Sequence, residues 1–381
     1  MIKYTSFGAA RQVTGSAHLL EIGNFKLLLD CGLDYEKDVK GYPRSNKDFD
    51  FNPEEIDALI LSHAHIDHSG NIPNLVRQGF TGKIYCTRAT AMLVADLWYD
   101  SLTIQKSDSR KKNRKGRSTE VLYSERHIEL ATRQLQKVQY NEATAINESI
   151  TFQYVQAGHI PGAASVKLTI DQGNKDVTIG FSGDLGNFTS ALVKDPEPIK
   201  GLDYFISEST YGGRYHTQEQ NRMDAILAHV EETCIKNRGK LVIPAFSIGR
   251  TQAIIFTFHQ LYRAGKLPTW LNVYTDSPLA IRSTRVYDQC LTDLNQEAQD
   301  FHSQHGDLFY FDNLKTVTES SHSDYISQSL EPCVIVSAAG MLEGGRIQKH
   351  IRNNVSIENN KIRNAGDSTE GTMETSRSNQ Y

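Results

Sequence analysis

The stretch Ala58-Leu59-Ile60-Leu61-Ser62-His63-Ala64-His65-Ile66-Asp67-His68-Ser69-Gly70 decides how the rest of the chain is interpreted. It begins with a continuous apolar run, which is typical of a strand buried on both faces. The run ends in three histidines and an aspartate separated by small residues. His63 and His65 are two residues apart and can reach one metal ion, while Asp67 and His68 follow closely enough to reach a second ion beside it. A histidine-rich surface loop is the alternative, and the spacing favours metal ligands over it.

The composition sets broad limits on the class of protein. A chain of 381 residues is long enough for two domains and a sizeable core. Lys and Arg number 41 against 45 Asp and Glu, for a net charge of −4, so a nucleic-acid partner must be bound by a local basic face. The 5 cysteines are an odd number without CxxC spacing, which favours a reducing compartment. No apolar run is long enough for a secretory leader or a membrane span, so we expect a cytoplasmic protein without a membrane partner.

Strand and helix patterns alternate on both sides of the histidine stretch. Residues 15–22 and 25–30 are strand-like runs joined at Gly23-Asn24, which predicts a hairpin. A short helix over 70–79, a strand over 82–87, and helices over 89–105 and 124–138 follow. This alternation predicts an α/β fold.

Four motifs, in order along the chain, resemble those of a known family. His63-Ala64-His65-Ile66-Asp67-His68 resembles the HxHxDH signature of the metallo-β-lactamase fold. Ala157-Gly158-His159-Ile160-Pro161-Gly162 resembles the third motif of that fold, and Ser182-Gly183-Asp184 resembles the fourth. Glu208-Ser209-Thr210-Tyr211-Gly212 resembles motif A of the β-CASP insert. From about Gly8 to Arg352, the chain is therefore similar to the β-CASP group of RNA-processing nucleases.

The resemblance implies an active site with two zinc ions, or manganese in their place, and a bridging hydroxide that attacks phosphorus. One ion would be held by the first two histidines of the signature and the third-motif histidine, the other by the rest of the signature, with the fourth-motif carboxylate shared. The implied metal ligands are His63, His65, Asp67, His68, His159 and Asp184. Asp67 would also orient the water or accept its proton, and Glu208 would be a supporting carboxylate. Asp30, at the end of a strand, would hold the histidine loop from behind by hydrogen bonds.

The resemblance also implies the domain organisation. We expect a metallo-β-lactamase αββα sandwich over residues 1–203 and an inserted β-CASP α/β domain over 204–345. Residues 346–381 would be a shortened return segment, and its polar end cannot bury enough apolar surface to become ordered. The two histidines that complete the family pattern, a general acid and a further metal ligand, have no counterpart after Arg352.

Two glycine-rich turns after predicted strands are candidate phosphate-binding sites. They are Ser247-Ile248-Gly249-Arg250 and Gly344-Gly345-Arg346. Strands followed by such turns and by helix starts predict a parallel sheet. Exposed N–H groups and the helix dipole favour anions there, and we expect substrate contacts from Ser247, Gly249, Arg250, Gly344, Gly345 and Arg346. Tight-turn geometry explains the glycines almost as well, and the arginines favour phosphate.

The basic block Arg110-Lys111-Lys112-Asn113-Arg114-Lys115-Gly116-Arg117 is a further candidate for phosphate contact. Each Lys or Arg that neutralises a phosphate releases condensed counterions and strengthens binding. A solvated loop explains the block equally well, because no aromatic residues are interleaved.

The leading hypothesis is therefore a zinc-dependent phosphodiester hydrolase, with RNA as the expected partner. The alternative is a catalytically weak or inactive relative that binds nucleic acid or a partner protein. A small-molecule hydrolase of the same fold, such as a thioesterase or lactamase, is disfavoured by the second domain. The sequence does not decide whether the substrate is RNA or DNA, whether the enzyme is an endonuclease or an exonuclease, or whether the protein is a monomer or a homodimer.

Overall fold

A computed structural model describes residues 1–36, 45–114, 121–188, 190–213, 222–339 and 344–363. They form two compact units, one from Met1 to Gly212 and one from Gly213 onwards. Two sheets lie in the first unit and one in the second. The alternation of strands and helices confirms the α/β class predicted from the sequence.

The first sheet has six strands in the order β1 to β6. They are β1 (Ile2–Ser6), β2 (His18–Ile22), β3 (Phe25–Leu29), β4 (Ala58–Ile60), β5 (Lys83–Cys86) and β6 (Leu135–Lys137). The first three pair antiparallel, which confirms the predicted hairpin, and β3 to β6 pair in parallel. Gly23 turns the hairpin with φ of 61°, a conformation that glycine adopts at no steric cost. The helices of this half are α1 (Ile66–Ser69), α2 (Ile72–Arg77), α3 (Arg88–Asn113) and α4 (Glu125–Gln134).

The second sheet packs against the first, so the unit is a sandwich. Its strand order is β11-β10-β9-β8-β7, with β7 (Thr144–Ala145), β8 (Ile150–Gln156), β9 (Ala164–Asp171), β10 (Asp176–Phe181) and β11 (Tyr204–Ile206). Leu27 and Ile60 of the first sheet share a buried cluster with Phe152 and Leu168 of the second. Tyr154 crosses this layer and donates its hydroxyl to the carbonyl oxygens of residues 61 and 85, at 2.9 and 2.8 Å. The hydroxyl of Tyr154 thereby ties the residue after β4, which leads into the histidine stretch, to the second sheet.

The second unit is built on one parallel sheet of five strands in the order β14-β13-β15-β12-β16, as the sequence predicts. The strands are β12 (Leu241–Pro244), β13 (Asn272–Asp276), β14 (Leu314–Thr316), β15 (Cys333–Ser337) and β16 (Lys361–Ile362). Its helices are α5 (Arg222–Val230), which continues as a π-helical turn to Lys236, α6 (Arg250–Arg263), α7 (Pro278–Gln289), α8 (Gln296–His305), α9 (Ser320–Gln328) and α10 (Ile347–Asn354).

Element ends differ from the sequence prediction in one place that matters for the fold. The helix predicted to reach Val138 ends at Gln134, and Leu135–Lys137 forms the edge strand β6 beside β5. The predicted domain bounds at 203 and 345 stay predictions, while the compact units divide at Gly212 and β11 belongs to the sandwich. The predicted disorder after residue 363 concerns residues outside the described part of the chain. Within the described ranges, no helix combines the length and apolar character needed to cross a membrane.

Candidate metal centre

Three connections of the sandwich carry the side chains that the sequence predicts as metal ligands. The chain leaves β4 through Leu61 and Ser62, reaches His63 and His65, and then forms the short helix α1, which carries Asp67 and His68. The connection after β8 carries His159, and the connection after β10 carries Asp184. The site is therefore assembled from both sheets.

Three imidazoles and one carboxylate converge at this place. One ligand atom from each of His63, His65, His159 and Asp184 lies within 4.8 Å of the others. Nδ1 of His65 is 3.1 Å from Nε2 of His63 and 3.0 Å from Nε2 of His159. Oδ2 of Asp184 is 3.7 Å from Nε2 of His63 and 3.6 Å from Nε2 of His159. The side chains predicted to share one ion are therefore neighbours in space.

A second group of ligand atoms lies on the other side of Asp184. Nε2 of His68 is 3.0 Å from Oδ1 of Asp184 and 3.8 Å from Oδ2 of Asp67. Each oxygen of Asp184 thus faces a different set of histidines. This is the arrangement expected of a carboxylate shared between two cations.

Asp30 is fully buried behind the histidine stretch and accepts several hydrogen bonds. Its donors are Nδ1 of His68 at 2.7 Å, the N–H of Ser62 at 2.8 Å, and the hydroxyls of Ser62 and Ser16 at 2.9 and 3.2 Å. Because Nδ1 of His68 donates to Asp30, Nε2 is the ring nitrogen that faces Asp184. Burial alone would lower the pKa of His68, but the carboxylates of Asp184 and Asp67 outweigh it and hold that pKa well above its usual value, so a proton lies between Nε2 and Oδ1 of Asp184 at 3.0 Å. A divalent cation in place of that proton fits the donor set.

The electrostatics of the cluster suit metal binding in the same way. Burial holds the pKa of His63 well below its usual value, and the nearby His68 lowers it further. Burial alone would raise the pKa of Asp184, but the imidazoles of His68, His63 and His159 outweigh it and hold that pKa well below its ordinary range. His63 thus offers a neutral imidazole and Asp184 an ionised carboxylate, while a metal ion at His68 would have to displace the proton of Nε2.

Two glycines let the loops of His159 and Asp184 approach each other. The N–H of Gly186 donates to the carbonyl oxygen of Ala157 at 2.8 Å. A Cβ atom at Gly186 would lie 1.7 Å from the carbonyl oxygen of Gly158, so no side chain fits there. The contact between these two loops brings the two ligands together.

Comparison with known proteins decides the family. Residues 10–210 match the model of the metallo-beta-lactamase superfamily, and residues 251–375 match that of the Beta-Casp domain. The chain belongs to the β-CASP group of the metallo-β-lactamase superfamily. The resemblance stated from the sequence motifs is confirmed, and so is the predicted fold, a metallo-β-lactamase domain with a β-CASP domain inserted. Proteins of the superfamily use metal ions, in agreement with the His and Asp cluster of the sandwich.

Relatives with assigned names extend over nearly the whole chain. Ribonuclease TTHA0252 of Thermus thermophilus is 33% identical over 361 residues, which are 95% of this chain and 78% of the relative. The RNase J-like protein of Methanocaldococcus jannaschii is 32% identical over 98% of this chain and 79% of its own length. Transcription termination factor FttA of the same organism is 30% identical over 98% of this chain, which spans 57% of that longer relative.

Glu208, the carboxylate predicted from motif A of the β-CASP family, lies beside the cluster. Its Oε1 accepts the N–H of Leu185 at 3.0 Å, and its Oε2 accepts the N–H of Thr210 at 3.3 Å. Its own N–H donates to the hydroxyl of Ser182 at 2.9 Å. Ser182 and Leu185 flank Asp184 in the chain, so these bonds fix the loop that carries that ligand.

The first glycine turn of the β-CASP domain is tied to its neighbours. The hydroxyl of Ser247 is 3.3 Å from that of Ser277, at the carboxyl end of the next strand. The N–H of Gly249 donates to the hydroxyl of Tyr287 at 3.0 Å, and its φ is 86°. Arg250 is the first residue of α6. The backbone donor of Gly249 is therefore already bonded within the protein, and phosphate contact at this turn stays a prediction.

The second turn follows β15, the strand beside β12 in the same sheet. Gly344 has open space at its Cβ position, whereas a Cβ atom at Gly345 would lie 2.3 Å from the carbonyl oxygen of Ala338. Gly345 has φ of 70°, so tight-turn geometry requires this glycine. Phosphate binding by Gly344 and Gly345 stays a prediction, and residues 340–343 before them lie outside the described part.

The sequence reading missed a buried network centred on Asp276. This fully buried carboxylate accepts hydrogen bonds from Nη1 of Arg346 at 2.7 Å, from Nε2 of His350 at 2.6 Å and from the hydroxyl of Ser323. Arg346 also donates to the carbonyl oxygens of residues 317 and 318. The available signal was an aspartate that ends a predicted strand just before Ser277-Pro278, as Asp30 ends the strand before Cys31-Gly32.

The basic block is described only in part. Arg110, Lys111 and Arg114 are exposed at the end of α3, while residues 115–117 lie outside the described ranges. Both interpretations of the block, as a phosphate-binding segment or as a solvated loop, therefore stay open.

Proposed function

We propose that this protein is a metal-dependent phosphodiester hydrolase that cleaves RNA, with two zinc ions, or manganese, as its cofactors. The observation that carries the proposal is the position of Asp184 between two sets of histidines. The names of two relatives, a ribonuclease and an RNase J-like protein, support RNA as the substrate class.

The roles of the residues follow from the donor set. His63, His65, His159 and one oxygen of Asp184 would hold one ion, and His68, Asp67 and the other oxygen would hold the second. Bound there, the metal ions would supply Lewis-acid charge for the phosphoryl oxygens and would lower the pKa of an attacking water far enough for it to ionise near neutral pH.

The chain's own groups orient these ligands and handle the proton. The hydrogen bond from Nδ1 of His68 to Asp30 keeps Nε2 available as a ligand. The side chain of Asp67 is 23% exposed, so its carboxylate is accessible to water and suited to accept a proton from it. Glu208 supports the loop of Asp184 through the backbone of Leu185.

A second candidate function is RNA binding without cleavage, as in the alternative left open by the sequence. The observation in its favour is the name of one relative, transcription termination factor FttA, which refers to termination and not to hydrolysis. The two candidates differ in one measurable property, the loss of intact RNA.

The test uses purified protein loaded with zinc and an end-labelled single-stranded RNA. We expect close to two zinc ions per chain and cleavage that is abolished in His65→Ala and Asp184→Ala. The matched control is His322→Ala, which removes an exposed histidine of α9 that lies outside the cluster and should leave cleavage unchanged.

Four outcomes would contradict the proposal. Protein that binds no zinc or manganese, or cleavage that survives both substitutions, would exclude this metal centre as the catalyst. Retention of uncut RNA would favour the RNA-binding candidate, and such retention should weaken steeply with salt. Efficient hydrolysis of a thioester or β-lactam with RNA ignored would favour a small-molecule hydrolase.

A further inference from the structure

A cavity of about 320 Å³ opens at the amino ends of the parallel strands in the β-CASP domain. Arg238 precedes β12, Trp270 and Asn272 stand at the start of β13, and Glu331 precedes β15. Because the strands are parallel, these residues share one edge of the sheet. The two glycine turns and Asp276 lie at the opposite, carboxyl ends of the strands. The cavity is thus separate from the turns considered above for phosphate contact.

Aromatic rings form much of the wall of this cavity. Trp270 is 44% exposed and Tyr325 is 61% exposed, while Tyr274, a residue of β13, is partly buried. The guanidinium carbon of Arg238 lies 4.5 Å from the centroid of the Trp270 ring, within cation–π distance. Large aromatic faces left open to water in one concave place are typical of a binding site.

Polar groups stand at the edges of the rings. The Asn272 amide is hydrogen-bonded to the side chain of Tyr274 and has further polar capacity for a ligand, and the exposed carboxylate of Glu331 offers acceptors only. Arg238 adds a positive charge beside the aromatic surface. A ligand that matches this set is flat, has hydrogen-bond donors and acceptors on its rim, and carries a nearby negative charge.

We propose that this aromatic site binds an unpaired nucleobase of RNA, stacked on Trp270 and Tyr325, with Arg238 next to its phosphate. A nucleobase has the flat face and polar rim that the site requires, and aromatic stacking of bases is the usual way in which proteins hold single strands. The inference rests on the proposed function, because RNA is the substrate proposed for the metal centre.

Tryptophan fluorescence gives a direct readout, since the chain has 2 tryptophans in different environments. Trp98 is fully buried and donates its Nε1–H to the carbonyl oxygen of Ser69, so a bound base reaches only Trp270. An unpaired oligoadenylate is titrated into Asp184→Ala protein, which does not cut it. We expect quenching that is absent with an abasic oligonucleotide of the same backbone and lost in Trp270→Leu.

The variants separate stacking from folding. Tyr325→Ala should weaken oligoadenylate binding about 10-fold, because one stacked base is worth roughly 1–3 kcal/mol. Tyr325→Phe keeps the ring and should bind like the parent. The matched control is Tyr310→Ala, since Tyr310 is 67% exposed in the same domain and does not line the cavity. Thermal unfolding of each variant shows whether the domain stays folded.

Several results would overturn the inference. Equal quenching by the abasic strand would mean phosphate contact alone, and unchanged affinity in Tyr325→Ala would exclude stacking there. Stronger quenching by a proline-rich peptide than by oligoadenylate would assign the aromatic groove to a protein partner. Cleavage by the wild-type protein is measured separately. If the wild-type protein cuts RNA but oligoadenylate does not quench Trp270, the aromatic site is rejected and the hydrolase proposal stands. If oligoadenylate quenches Trp270 in a base-dependent way but the wild-type protein does not cut RNA, the aromatic site is supported and the hydrolase proposal is rejected.

Discussion

Nδ1 of His68 lies 2.7 Å from Oδ2 of the fully buried Asp30, 38 residues earlier in the chain. This bond fixes which ring nitrogen of His68 faces Asp184. Asp30→Asn should lower zinc affinity by about 10- to 100-fold, because an amide does not fix the imidazole as a carboxylate does. Competition for zinc between the protein and a chelator measures this affinity.

Asp57→Asn is the control for this change, since Asp57 is exposed and accepts the N–H of Lys26 in β3 of the same sheet. Its zinc affinity should equal that of the wild type. Equal zinc affinity in Asp30→Asn would show that His68 is oriented by other contacts.

Glu208 accepts the N–H of Leu185 and so supports the loop of Asp184. Glu208→Ala should reduce the RNA cleavage rate at saturating zinc by about 10- to 100-fold, since a hydrogen bond to a charged group is worth about 1.5–3 kcal/mol. Glu208→Gln keeps an acceptor oxygen and should recover part of the rate. A Gln variant as slow as the Ala variant would mean that the negative charge itself takes part in the reaction.

Arg346 donates to the buried carboxylate of Asp276 and is 22% exposed, so its main contacts are inside the β-CASP domain. Arg346→Ala should lower the free energy of unfolding by about 2–3 kcal/mol, because it leaves a buried charge without one of its partners. Urea unfolding measures this, with Arg352→Ala as the control on the same helix.

The same variant tests the phosphate contact predicted for Arg346. If the arginine neutralised a phosphate, the slope of log affinity against log salt would fall by about one in Arg346→Ala. We expect an unchanged slope in the folded variant, because the guanidinium is held by Asp276 and by two carbonyl oxygens.

Asp288 predicts a pH dependence of stability. Burial, together with the nearby Asp307, raises its pKa to about 6, above the unfolded value of about 3.9. The folded protein therefore binds this proton more tightly, and stability from this group rises as pH falls from 7 towards 4. Asp288→Asn should stabilise the protein by about 1 kcal/mol at pH 7, a value reduced for solvent screening of a half-exposed side chain.

The difference between Asp288→Asn and wild type should vanish near pH 4, where the wild-type carboxyl is protonated. Urea unfolding of both proteins at several pH values measures this difference in the free energy of unfolding. Asp300→Asn, on the exposed face of α8, is the control and should show little dependence on pH. A benefit that stays constant from pH 4 to 7 would exclude the carboxyl charge as its cause.

Local patterns predicted what depends on near neighbours in the chain. Each of these features is determined by a short stretch of sequence: the buried strand β4, the hairpin at Gly23, and the spacing of His63, His65 and His68. Family motifs then linked His159 and Asp184 to the same site, and the distances agree with that grouping.

Features that depend on distant pairing were not predictable in the same way. Leu135–Lys137 continues a helical pattern, yet the open edge of β5 offers backbone hydrogen bonds and turns it into a strand. Asp276 is bonded to Arg346 and His350, which are 70 and 74 residues away in the chain, so no local pattern connects them to it. A helical period reports which face of a segment is apolar, and it does not report which strand edge lies nearby.

The backbone contact between Gly158 and Gly186 has a practical consequence for anyone who wants to redesign this centre. The two loops fit against each other without room for a methyl group, so a shift in one displaces the other. Metal selectivity is therefore best altered by exchanging a ligating side chain, because remodelling either loop would disturb two ligands at once.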